Sequence, residues 1–69
     1  MKLSTRNQLP GTVEKVRAGE AMAVVTVRLA GGEQVSASIT RDAVDDLALA
    51  PGVAVTVLVK STEVMLAVD

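Results

Sequence analysis

The feature that most constrains the fold is the alternation of valine with smaller or polar residues along three stretches of the chain. In residues 23–29, 33–40 and 53–60, apolar side chains recur at every second position, as in VAVTVLVK. Side chains on a β-strand point alternately to opposite faces, and β-branched residues favour the pleated conformation. The pattern therefore predicts strands with one face in a core. Weaker strand candidates lie at residues 11–17 and 64–68.

Short connections separate these stretches. The pairs Ala18-Gly19 and Gly31-Gly32 predict tight antiparallel hairpins, and a break in the apolar phase across residues 13–16 predicts a β-bulge. Residues 41–49 show the i, i+3, i+4 spacing of a helix, with Val44, Leu47 and Ala48 on its apolar face and Thr40 at the N-cap position. Five strands, with this helix between the third and the fourth, predict an all-β fold, a small OB-like barrel.

The core of such a barrel is expected to be small. Residues 1–69 can form only a single domain, and a domain of this size buries about 60% of the surface that its unfolded chain exposes. The chain has no Cys and no His, which argues against disulfides and structural zinc. Hydrophobic residues make up 49% of the chain and aromatic residues 0%. So much apolar surface on a small body predicts burial between copies, in a homo-oligomer.

Charge and hydropathy exclude several classes of function. A net charge of −1 creates no field that attracts polyanions, and the chain has no aromatic platforms for stacked bases. No apolar run approaches the roughly 20 residues that span a bilayer, and the start MKLSTRNQ lacks the apolar run of a signal peptide. We therefore expect a cytoplasmic protein that binds neither nucleic acid nor a membrane. Without His or Cys, enzyme activity is not expected.

Two clusters of hydrogen-bond donors stand out. The segment STRNQLPG, residues 4–11, places Arg6 among polar side chains and is expected to stop at Pro10-Gly11. The segment VKSTEVML, residues 59–66, places a lysine beside two hydroxyls. A guanidinium presents five N–H donors in a fork suited to oxyanions, although either cation could also be an ordinary solvated charge. A third donor, Thr40, could cap the helix and still offer its hydroxyl proton to an anion at the helix start.

The two clusters together resemble the molybdate-binding Mop domain, the molbindin family. The opening S-x-R-N-Q-L-x-G and the closing K-S-T-[DE]-V-M carry the resemblance, which extends over residues 3–68. It implies an OB-like barrel with strands partly exchanged between subunits, assembled as a hexameric trimer of dimers. It also implies that molybdate or tungstate is held at subunit interfaces for intracellular storage. An oxyanion-sensing module that acts on a partner protein would use the same pocket and is the alternative.

The resemblance also assigns the oxyanion-binding positions. These are, by number in this sequence, Ser4, Arg6, Thr40, Lys60 and Ser61. Three residues beyond Thr40 the family often has a serine, and here Ala43 leaves only a backbone N–H to serve. A second class of site near the threefold axis is suggested for Asn7 and Gln8. The metal would be bound as its oxyanion, with no direct coordination by the protein.

Overall fold

A computed structural model describes all 69 residues as four strands, one short helix and one turn of 3-10 helix. All four strands form one antiparallel sheet in the order β3-β2-β1-β4. The predicted all-β class with one short helix is confirmed. The elements are β1 (Asn7–Ala18), β2 (Met22–Leu29), β3 (Gln34–Thr40), α1 (Arg41–Asp46), β4 (Ala54–Val59) and the 3-10 turn (Ser61–Glu63).

The sheet curls into a half-barrel around its apolar face. Val13, Val25 and Val27 are buried there, together with Ala23, and Val44 of α1 covers them. The inner residues of β3 and β4 pack against this cluster from the two sides. The core nevertheless contains only 5 of the 69 residues, so a single copy leaves most of its apolar side chains in contact with water.

The predicted turns and the bulge are confirmed. In the β1–β2 turn, the Gly19 N–H donates to the Met22 carbonyl at 2.8 Å. In the β2–β3 turn, the Gly32 N–H donates to the Leu29 carbonyl at 2.9 Å, and Gly32 has a φ of +98°, which favours glycine. The register between β1 and β2 shifts after Val13, which leaves Glu14 as the extra residue of the bulge.

The first strand begins earlier than predicted. Pro10 and Gly11 do not stop the N-terminal segment, because β1 starts at Asn7 and runs through both residues. From Asn7 to Pro10 the strand pairs with β4 alone, and its pairing with β2 begins only at Gly11. One side of β1 is therefore open beside Pro10, where a missing N–H need not break a ladder hydrogen bond.

The helix ends earlier than predicted, at Asp46 rather than at residue 49. Ala48 adopts a left-handed φ of +51°, and the Leu49 N–H donates back to the Val44 carbonyl at 3.0 Å. This hydrogen bond closes the last turn as a Schellman motif. The predicted apolar face is therefore wrong in part, since Leu47 is 64% exposed and Val44 alone is buried. No helix in the chain has the length and apolar character needed to cross a bilayer.

The predicted fifth strand, residues 64–68, is not confirmed in the single chain. After the 3-10 turn the chain continues without pairing, and its apolar side chains are exposed. β3 and β4 each pair on one side only, so the half-barrel has two free edges. An apolar groove of about 260 Å³ remains open in the half-barrel, lined mainly by Ala37, Ile39, Leu47, Leu49, Val55 and Val57.

Candidate functional site

The pairing of β1 with β4 brings the two donor clusters to the same end of the sheet. Asn7 pairs with Val59 and Gln8 with Leu58 in antiparallel register. Arg6 directly precedes Asn7 and Lys60 directly follows Val59, so both cations lie at the same end of this strand pair. Because residues opposite each other in such a pair have Cα atoms about 4.5–5.5 Å apart, two segments more than fifty positions apart in sequence become neighbours. Ser4 and Ser61 lie on the flanks of this end.

Both cations at this end are free. Arg6 and Lys60 are exposed, and neither forms a side-chain hydrogen bond or an ion pair in the chain. Two uncompensated positive charges beside each other are unfavourable for a protein on its own. Such a pair is suited to a ligand that carries two negative charges. We call the group formed by Ser4, Arg6, Lys60 and Ser61 the β1–β4 donor group.

Asn7 and Gln8 hold the backbone around this group. The Asn7 Nδ2 donates to the Val59 carbonyl at 3.0 Å, across the strand pair. The Gln8 Nε2 donates to the Thr5 carbonyl at 2.8 Å and closes the turn that leads into β1. Both amides therefore have a structural role that the sequence did not indicate. Their suggested role in a second oxyanion site stays a prediction.

Thr40 and Ala43 form a second, smaller donor group at the start of α1. The Ala43 N–H donates to the Thr40 Oγ1 at 3.1 Å, which confirms Thr40 as the N-cap. The Thr40 hydroxyl can still donate its own proton to another acceptor. The Ala43 N–H, in contrast, is engaged by Thr40 in this chain, so it could reach an anion only by sharing its hydrogen bond.

The two donor groups lie at opposite ends of the sheet. Thr40 pairs with Met22, the first residue of β2, which lies close to the last residue of β1. The β1–β4 donor group lies beyond the first residue of β1. A strand rises about 3.3 Å per residue, so the 12 residues of β1 would span roughly 36 Å if straight. The longest dimension of the whole chain is 37 Å. Within a single copy, the two groups are therefore separated along the sheet by the whole of β1.

Arg41 is a cation beside Thr40 that the sequence analysis did not single out. Its Nη1 donates to the Gly19 carbonyl at 3.1 Å, and its Nε lies 3.9 Å from the Asp45 carboxylate. The side chain is about half exposed. Its position directly after the N-cap threonine was the available signal, since a cation there adds to the positive potential of that group.

The fold and the site define a small ligand-binding β-domain whose polar groups are donors suited to an oxyanion. Residues 3–66 match the family model of the TOBE domain. The molybdenum-pterin-binding protein 3 of Clostridium pasteurianum is 41% identical over 66 residues, which cover 96% of this chain and 97% of that protein. The chain belongs to the TOBE domain family and, within it, to the Mop group.

Solved structures agree with this assignment. MopII from Clostridium pasteurianum, in an apo form, matches with a TM-score of 0.92 and 37% identity, over 97% of this chain and 100% of that chain. A molybdate-binding protein from Sporomusa ovata matches with a TM-score of 0.91 and 43% identity, over 97% of this chain and 98% of that chain. The coverage shows that the likeness extends over almost the whole chain, and the identities show that it includes the sequence as well as the fold.

Proposed function

We propose that this protein binds molybdate as a binding protein rather than as an enzyme. The observation that carries the proposal is the β1–β4 register, which places the unpaired cations Arg6 and Lys60 at one end of the sheet with hydroxyls beside them. The relatives named above as molybdenum-pterin-binding and molybdate-binding proteins support the same ligand. Tungstate has the same charge and shape and is expected to bind in the same way.

The chemistry of the ligand matches a site built of donors. Molybdate is a tetrahedral dianion that offers hydrogen-bond acceptors only, so a site for it needs N–H and O–H groups. Arg6 and Lys60 balance its two charges, and the hydroxyls of Ser4 and Ser61 donate to its remaining oxygens. Charge-assisted hydrogen bonds of this kind each contribute roughly 1.5–3 kcal/mol.

The complete site is formed between two copies of the chain. Thr40, with the backbone at Ala43, lies at the opposite end of the sheet from the β1–β4 donor group, so a neighbouring copy must supply it. Ala43 lacks the hydroxyl of the serine that the family often has at this position, which removes one donor to the ligand. The Thr40 hydroxyl and the nearby Arg41 guanidinium are then the side-chain donors at this end. This arrangement makes molybdate a bridge between subunits.

Exchange of the C-terminal segment holds these copies together. The half-barrel has an open apolar groove between two free strand edges. Residues 64–68 of the same chain are unpaired and apolar, and their side chains are exposed. A neighbour's segment supplies the strand that closes the barrel, and the reciprocal exchange produces dimers. We expect these dimers to assemble as a hexamer, a trimer of dimers, which stores molybdate. The cytoplasmic location also stays a prediction.

Isothermal titration of the assembled protein with molybdate tests the proposal. Arg6→Ala and Lys60→Ala are each expected to weaken binding by about ten- to 150-fold, the equivalent of one charge-assisted hydrogen bond. Lys2→Ala is the matched control, because it removes an exposed lysine that the proposed site does not use, and it should keep the affinity of the unmodified chain. Sulfate and tungstate titrations measure selectivity, and ions bound per chain measure storage capacity. Unchanged affinity in both variants, with the assembly intact, would remove the β1–β4 donor group from the site.

A further inference from the structure

The convex side of the sheet carries a second polar surface that the proposed molybdate site does not use. The registers place Lys15 opposite Thr26 and Thr26 opposite Ser36, in one row across three strands. The next outward row runs from Arg17 through Val24 to Ser38. Because directly opposite residues share a face of the sheet, these side chains point away from the core. We call this surface the outer cationic face, defined by Lys15, Arg17, Thr26, Ser36 and Ser38.

The two cations of this face have no partner within the chain. Neither Lys15 nor Arg17 forms a side-chain hydrogen bond or an ion pair. The nearest carboxylate in sequence, Glu14, is fully engaged elsewhere. It accepts from the Arg28 guanidinium at 2.8 and 3.2 Å and from the Gln34 amide at 2.6 Å. Glu14 therefore neutralises Arg28 and leaves the charges of Lys15 and Arg17 uncompensated.

Charge is segregated on this chain. Residues 15–18, 22–29 and 34–40, which form the three strands of the outer cationic face beyond the bulge, contain no Asp and no Glu. Of the eight acidic residues in the whole chain, only Glu14 lies on a strand, and the others lie in the turns, in α1 and towards the C-terminus. A local positive field on a chain of net charge −1 selects an acidic partner by complementarity rather than by bulk attraction.

The spacing of the face fits an extended polypeptide. Lys15 and Arg17 are two positions apart on β1, which corresponds to about 6.6 Å, the same repeat that separates alternate side chains of another extended chain. Ser36 and Ser38 repeat that spacing on β3, two strands or roughly 9.6 Å away, and offer hydroxyl donors along a parallel line. A single-stranded nucleic acid would need aromatic stacking platforms, and the chain has none.

We propose that the outer cationic face docks an extended acidic segment of a partner protein, with carboxylates at alternate positions. The face lies on the opposite side of the sheet from the apolar groove, and it does not include the residues of either donor group. A partner can therefore dock while the barrel is closed. Such docking would bring a molybdate-loaded assembly to a protein that receives the ion. Docking itself does not depend on the proposed ligand.

Fluorescence anisotropy on the intact assembly tests the proposal. The probe is a labelled peptide of alternating Glu and Ser, measured at about 0.01 M ionic strength, where the Debye length is roughly 30 Å. We expect binding that weakens as salt rises and that falls at least about tenfold in the double variant Lys15→Glu with Arg17→Glu. The matched control, Lys2→Glu with Ala30→Glu and Ala50→Glu, lowers the net charge by the same amount at exposed positions outside the face and should stay within about threefold.

Each outcome decides between docking on this face and its competitors. Light scattering and circular dichroism must first show that the face variant and the control variant both keep the assembly and the fold. If they do not, Ser36→Glu, which adds a carboxylate to the face without removing a cation, takes their place and is expected to weaken binding. No binding by the unmodified chain, equal losses in the control variant, or equally tight binding of oligo-dT would each overturn the proposal.

Discussion

Truncation of Leu66 to alanine is expected to break the assembly, because this side chain is the centre of the unpaired C-terminal segment. Leu66 is 92% exposed in the single chain, and Met65 and Val68 beside it are 91% and 96% exposed. Alternation along a strand puts Val64, Leu66 and Val68 on one face, which is the face that would enter the apolar groove of a neighbouring copy. Met65 lies on the other face.

The magnitude follows from the number of copies of the contact. A Leu→Ala change in a packed interior costs about 2–5 kcal/mol. A reciprocal exchange contains the contact twice, so each pair of chains loses about 4–10 kcal/mol, which raises the dissociation constant of the pair by roughly 10³- to 10⁷-fold. Assemblies of small chains that share a core often unfold as they separate, so dissociation and unfolding can occur together.

Light scattering over a dilution series, with circular dichroism on the same samples, measures both quantities. Leu66→Ala should lower the molar mass or the unfolding midpoint, whereas Met65→Ala, a truncation of similar size on the other face, should leave both close to those of the unmodified chain. If Leu66→Ala kept the original mass and midpoint at every concentration, the groove would not be the place where the segment binds. If Met65→Ala were equally damaging, the assigned orientation of the strand would be wrong.

Three further changes test parts of the fold within one copy. Gly11→Ala should lower stability by about 1–3 kcal/mol in denaturant titrations, because its Cβ would lie 2.7 Å from the Val27 Cγ1 and 2.8 Å from the Arg28 carbonyl oxygen. The pKa of Glu14 is lowered from its ordinary 4.5, mainly by the hydrogen bond from Arg28 and then by the one from Gln34. The contribution of the Glu14 carboxylate to folding stability is therefore present above pH 4.5 and is lost as the pH falls through the lowered pKa. Glu14→Gln should flatten that part of an acid-unfolding curve. Thr40→Ala should cost about 0.5–2 kcal/mol by loss of the N-cap and should also weaken molybdate binding, whereas Thr40→Ser should retain both.

The strands could be predicted wherever apolar and polar or small residues alternate along the sequence. The period of two along residues 23–29 predicts a strand with one face in a core, and Val25 and Val27 are buried on that face. The hairpin glycines predict the connections on both sides of β2. The start of β1 could not be predicted in the same way, because its first residues are polar and lead into Pro10. They are extended because β4 pairs with them, and that long-range pairing leaves no local signal. The end of the helix could not be predicted for a similar reason. Position 48 has a left-handed backbone, but its residue is an alanine rather than the glycine that would indicate such a conformation.

The sequence indicates the residue types of the candidate site but not their arrangement in space. The donors Arg6 and Lys60 were recognised from motifs, and the register that joins them depends on the pairing of β1 with β4. The sequence does not show that the Asn7 and Gln8 side chains donate to backbone carbonyls. A side-chain amide can donate to a ligand as well as to a carbonyl, so its residue type does not distinguish the two. The separation of Thr40 from the other donors also appears only once the strand order is known.

Ligand binding and assembly must be linked if the site is divided between copies. A dianion that contacts Arg6 and Lys60 of one chain and Thr40 of another binds the assembly and not the separated chains. By mass action it then stabilises the assembly by about 2.7 kcal/mol per site at a free concentration one hundred times its dissociation constant. Molybdate should therefore raise the unfolding midpoint of the unmodified protein and lower the concentration at which it dissociates. In a protein with Arg6→Ala and Lys60→Ala combined, the same ion should change neither. A shift of equal size in that double variant would mean that molybdate stabilises the assembly from another place, and the divided site would have to be abandoned.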